Sequence, residues 1–168
     1  MMDSFAEQLV EKEPSSSDTF KKFMLCAVGG IICAATVFAA FFLGFPLILI
    51  VTVGVVYLLY ILLTGFNVEY EYTITNGSLD IDKIIAKRKR MGLITVEVKD
   101  FTAFGSYDDA DDSFGGTTVL TMGGEEDTYY ADFTDEKLGE VRLVFSPDEK
   151  VLECIKPYLP RQLKYQNT

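Results

Sequence analysis

The chain has no histidine and no tryptophan, and only 3 cysteines and 5 prolines among 168 residues. Without histidine there is no imidazole base, no His-ligated metal and no Ser-His or Cys-His couple. Cys26, Cys33 and Cys154 are too few and too scattered for a disulfide framework. Cys26 and Cys33 lie seven apart in an apolar run and read as small residues of a membrane helix. No phosphate-binding glycine motif, Ser-x-x-Lys or nucleophile elbow occurs; Gly115-Gly116 and Gly123-Gly124 read as turns. Carboxylate pairs carry no weight in a chain with 25 acidic residues. These absences predict no catalytic residue, no cofactor and no metal ligand, and a protein that is not an enzyme.

Charge is missing in one place altogether. Residues 23–68 contain no Asp, Glu, Lys or Arg, although the chain as a whole carries a net charge of −10. One helix of that length would run about 69 Å at 1.5 Å per residue, more than twice the roughly 30 Å of a hydrocarbon core. Gly44 and Pro46 in "FFLGFPLIL" break the run, and proline disfavours helix at the residue before it. The expectation is a transmembrane hairpin over residues 23–66, with spans at about 23–43 and 47–64. Lys21 and Lys22 precede it; Lys83, Lys87, Arg88, Lys89 and Arg90 follow it; the turn carries no charge. The positive-inside rule then places both termini in the cytoplasm of a multi-pass cell-membrane protein. The spans hold nothing more polar than Thr36, Thr52, Tyr57 and Tyr60, so they read as an anchor and not an ion path. Gly30 with Ala34, and Ala35 with Ala39, offer small-residue spacing for helix packing. In the head, residues 1–22, Ser4 to Glu7 fits a capping box and Phe5 and Leu9 share a helical face. A short amphipathic helix followed by the linker "EKEPSSSD" is expected there.

From residue 67 on, strands and turns alternate. "VEYEYTIT" sets Val68, Tyr70, Tyr72 and Ile74 against Glu69, Glu71, Thr73 and Thr75. Asn76-Gly77 is a strong hairpin signal, "SLDIDKII" returns, and a bulge is expected at Ile84-Ile85. "LITVEVKDFTAFGSY", "TTVLTM", "DTYYADF" and "EVRLVF" have strand composition. "SPDEKVLECIKPYLP" predicts a helix over 147–158, with Ser146 as N-cap and Val151, Leu152 and Ile155 as its apolar stripe. The loop with Asp108, Asp109, Asp111 and Asp112 fails the calcium-loop template, having Phe114 and Leu120 where Gly and Glu belong. An acidic β domain with one basic cluster argues against nucleic-acid binding. A two-residue turn at Asn76-Gly77 pairs Lys83 with Tyr70 and sends the second strand back toward the bilayer. Lys87, Arg88, Lys89 and Arg90 are therefore candidate contacts for anionic lipid headgroups.

The order of about six antiparallel strands and one closing helix resembles the pleckstrin-homology superfold. With the hairpin before "NVEYEYTITNGSLDIDKIIAKRKR", and with "VFSPDEKVLECIKPYLPRQL" after, the chain looks like a domain-of-unknown-function family of small Gram-positive membrane proteins. The head "MDSFAEQLVEKE" fits as well. That resemblance implies an α+β fold, in which a two-helix transmembrane hairpin is followed by a mainly antiparallel pleckstrin-homology-like β domain over 67–168, closed by the C-terminal helix. It supplies no activity and no site residues. The expected role is a membrane-anchored cytoplasmic interaction module that meets a protein partner, a second copy or a headgroup. The alternative is a structural subunit of a larger membrane complex.

Overall fold

Strict alternation in "VEYEYTIT" and "SLDIDKII" produces strands β2 (Val68–Thr75) and β3 (Ser78–Ile85) in the computed structural model, which describes residues 4–111, 113–123 and 127–164. Asn76 and Gly77 join them with φ of 51° and 90°, the two positive values of a type I′ turn. Tyr70 pairs with Lys83 and Val68 with Ile85, the register the turn dictates. No bulge falls at Ile84-Ile85. The irregularity lies one strand on, in β4 (Lys89–Glu97), where Ile81 faces Ile94 and Asp82 faces Gly92, leaving Leu93 as the extra residue. Lys83, Ile84 and Ile85 keep plain pairing because both neighbours follow them continuously.

The head is a strand. β1 (Phe5–Glu11) pairs antiparallel with β2, Phe5 against Thr75 through Glu11 against Glu69. The expected amphipathic helix is overturned because Ala6 and Val10 bury into the core as alternate strand residues, and the free edge of β2 supplies hydrogen bonds that an isolated short helix lacks. Asn76 N donates to Ser4 O at 2.9 Å and Lys12 N to Val68 O at 2.9 Å, closing both ends of the pairing. The sheet order is β1-β2-β3-β4. The β unit therefore joins the residues before Pro14 to those from Val68 onward, not residues 67–168 alone, and Pro14–Asn67 form a second unit.

A second sheet holds β5 (Ala103–Ser106), β6 (Thr117–Leu120), β7 (Tyr129–Asp135) and β8 (Gly139–Phe145) in the order β5-β7-β8-β6. β6 runs parallel to β8 and is not a hairpin partner of β7. Of the expected Gly123-Gly124 turn, Gly124 lies outside the described residues; Gly123 bridges to Lys12 beside β1. Tyr72, Ile74, Leu79, Ile81, Val141, Leu143 and Phe145 are fully buried between the sheets. The helix α3 (Glu149–Ile155) adds Val151 and Ile155 to that core. It starts later than expected. Its cap is Asp148, which accepts from Val151 N at 2.8 Å. Ser146 is buried instead, and its N–H donates to Tyr72 Oη at 3.3 Å. Gln8 of β1 spans this junction, donating to Ser146 O and accepting from Asp148 N. Pro157 falls in a 3₁₀ turn, Lys156–Tyr158, and a short helix α4 (Arg161–Lys164) follows.

The second unit is two helices, α1 (Ser16–Leu43) and α2 (Leu49–Thr64), each part of a segment long and apolar enough to cross a membrane. Helix α1 begins before the expected span and ends at Gly44, whose φ of 66° caps it. The packing glycine is Gly29, not Gly30: a Cβ at Gly29 would overlap Leu59, whereas one at Gly30 meets open space. Thr36 Oγ1 and Thr52 Oγ1 share a hydrogen bond of 2.7 Å across the pair. The outward residues are apolar, with Ile31 70% and Phe41 82% exposed. In water such a surface would be strongly unfavourable, at about 25 cal/mol per Å²; lipid removes that cost.

Candidate functional site

The four consecutive cations do not act as one group. β3 turns into β4 through Ala86 and Lys87, both with φ of 55°, and Arg88 N donates to Ile85 O at 3.1 Å. Lys87 and Arg88 thus occupy the turn, and Lys89 and Arg90 begin β4. Lys87 Nζ lies 3.2 Å from Glu69 Oε1. Arg90 meets Glu71, and its Nε lies 3.2 Å from Asp82 Oδ2. Glu69 and Glu71 are 5% and 6% exposed, and a carboxylate so buried needs a counter-charge. Two of the four cations are therefore committed to the fold. Arg88 and Lys89 are exposed and make no ion pair among the described residues. The turn sits at the end of the sheet where β1 stops and β2 starts, since Glu11, Glu69, Ile84 and Arg90 lie level across the strands. That is the end from which the chain leaves for the apolar helices and returns.

A groove of about 820 Å³ runs along the far edge of β4, lined by Gly92 to Glu97, Asp100 and the β7–β8 turn from Phe133 to Leu138. In that turn Asp135 Oδ1 accepts from Lys137 N at 2.8 Å and Leu138 N at 2.9 Å. Those two amides hold its carboxyl below the usual aspartate range.

The acidic loop is folded partly on itself. Asp111 accepts from Ser113 N and Ser113 Oγ, both at 2.8 Å, and these bonds lower its pKa. Asp108 and Asp109 are exposed, and Asp112 lies outside the described residues. Arg142, which sequence reading passed over, makes a two-pronged pair with Asp132 at 2.7 Å for each bond, and its Nη1 donates to Asp111 O at 2.6 Å. The Phe114 and Tyr130 rings lie over it, centroids 4.3 and 4.9 Å from its central carbon. The Asp132 bonds hold its proton more tightly than usual, against the opposing effect of burial. With its donors directed at Asp132 and the Asp111 carbonyl, this guanidinium is a brace, not a ligand site. Tyr70 lines a small cavity of about 130 Å³ with Lys12 and Met122; burial pushes its phenol up, and the nearby Lys12 charge partly offsets this.

Compared with known proteins, the chain matches one family model, described as a bacterial PH-like domain (DUF6106), over residues 2–165. Neither a curated protein nor a solved structure matches it.

Proposed function

The chain belongs to this bacterial PH-like domain family, and on that premise we propose that it is a membrane-anchored interaction module without catalysis. The two apolar helices hold the β domain at the cytoplasmic face of the cell membrane, where it binds a protein or a lipid headgroup. The observation that carries this reading is the pairing of β1 with β2. The strands on either side of the apolar helices are neighbours in one sheet, so the chain must leave the domain and return to it on the same side. The charges choose the side. Lys21 and Lys22 lie in the first turns of α1, before its uncharged stretch, Arg88 and Lys89 follow α2, and the turn between the helices has no cation. Arg88 and Lys89, without an ion pair among the described residues, are the residues that meet anionic headgroups, at about 1 kcal/mol each; Lys87 and Arg90 serve the sheet first.

Single-cysteine labelling tests the orientation. With Cys26, Cys33 and Cys154 replaced by Ala, a cysteine at Asn76 should react with an impermeant maleimide only after the cells are opened. Labelling of intact cells would refute a cytoplasmic domain.

A further inference from the structure

β4 is the last strand of its sheet. Val98 N donates to Gly77 O at 2.8 Å, and antiparallel alternation turns the amides of Val96 and Ile94 toward β3 as well. The amides and carbonyls of Thr95 and Glu97 therefore point the other way, along the groove. The opposite wall is also a strand edge. β5 covers β7 only from Tyr129 to Asp132, so Phe133, Thr134 and Asp135 have β8 on one side and the groove on the other. An edge with free backbone groups is a template for a further strand.

The lining says what kind of strand fits. Glu97, Asp100, Asp135 and Glu136 line the groove with one cation, Lys137. Lys99 beside it pairs with Glu97 at 3.7 Å, so acidic groups stay in excess, and the turn amides keep Asp135 ionised. Leu93 and Leu138 are exposed at the rim, 38% and 47%, and offer apolar contact to alternate side chains. The extra residue at Leu93 interrupts the edge and confines pairing to the stretch from Ile94 to Glu97. We propose that this groove takes up an extended, basic segment of a partner protein, with alternating apolar residues, as a strand added to β4. The inference rests on the reading of the β domain as an interaction module and specifies the chemistry of what it binds.

The test uses the full chain in nanodiscs of zwitterionic lipid and a fluorescent octapeptide of alternating lysine and valine. Saturable binding is expected. Two versions N-methylated at every second amide, one in each phase, keep the charge but remove donors; at least one should bind about tenfold more weakly, a loss of about 1.4 kcal/mol. The variant Asp100→Lys with Glu136→Lys, which spares the Asp135 turn, should also lose about tenfold, and a glutamate–valine peptide should not bind. Absence of saturable binding by the lysine peptide would overturn the proposal. So would equal binding of the plain and both methylated peptides, because attraction to an acidic surface needs no backbone pairing. Neutral lipid keeps headgroup binding out of this assay, so failure here leaves the anchored-module reading to its own test by labelling at Asn76.

Discussion

Arg142 and Asp132 are 7% and 9% exposed, and each supplies the other's counter-charge there. Replacing Arg142 by Met should cost about 3–5 kcal/mol, since it strands a carboxylate in a dry site. Changing both, Arg142→Met with Asp132→Leu, should cost far less. Chemical denaturation compares the two, and equal losses would show that the pair matters only as packing. Sequence reading could not find this brace, because an Arg in a strand and an Asp ten residues earlier carry no motif; only the β7–β8 register sets them side by side. Glu69 and Glu71 show a related limit. Alternation set them opposite Tyr70 and Tyr72 on β2, but it does not say whether that face meets water, and both are buried. With β1 added, β2 has a neighbour on both sides, and Lys87 and Arg90 reach over to the two carboxylates.

The β7–β8 turn depends on the Asp135 carboxylate, whose folded pKa is lowered. A lowered carboxyl pKa gives stabilisation that is complete above the unfolded value and is lost as pH falls through the folded one. The Lys137 and Leu138 amide resonances should therefore shift only in acid, with a midpoint below the ordinary aspartate value of about 3.9. Asp135→Asn should abolish that titration, and a midpoint at or above the ordinary value would contradict the hydrogen bonds. Among the elements, β2, β3 and their turn were legible because a clean alternation met a turn with one good geometry. β1 was not, because Phe5, Ala6, Leu9 and Val10 lie as pairs four apart, a spacing both a helix and a strand accept. Only the bare edge of β2, a distant feature, decides between them. The direction of β6 was equally hidden, since alternation gives the faces of a strand and not its sense. Asp148 displaced Ser146 as cap because Ser146 is drawn under Tyr72 and Gln8.

The membrane helices interrupt a β domain; they do not precede one. Removing residues 14–67 and joining the strands through an Asn-Gly turn should give a protein that melts cooperatively in water. A fragment starting at Val68 should be less stable or aggregate, because it bares the β2 edge and loses the Gln8 clamp on α3. The joined form should bind anionic vesicles weakly and release them with salt. Arg88→Ser with Lys89→Ser should abolish binding without lowering stability, and equal binding by both forms would remove these two residues from the lipid contact. The most direct test of the interrupted sheet keeps the whole chain in its membrane. Glu7 and Thr73 are paired on the outer face, in a position where β1 and β2 exchange no backbone bonds and side chains approach closely. With the native cysteines replaced, Glu7→Cys with Thr73→Cys should cross-link within one chain when isolated membranes are oxidised with copper phenanthroline. Glu7→Cys with Glu69→Cys, four residues out of register, should not. Absence of the first cross-link, or equal yields from both pairs, would contradict a domain whose first strand lies before its membrane helices.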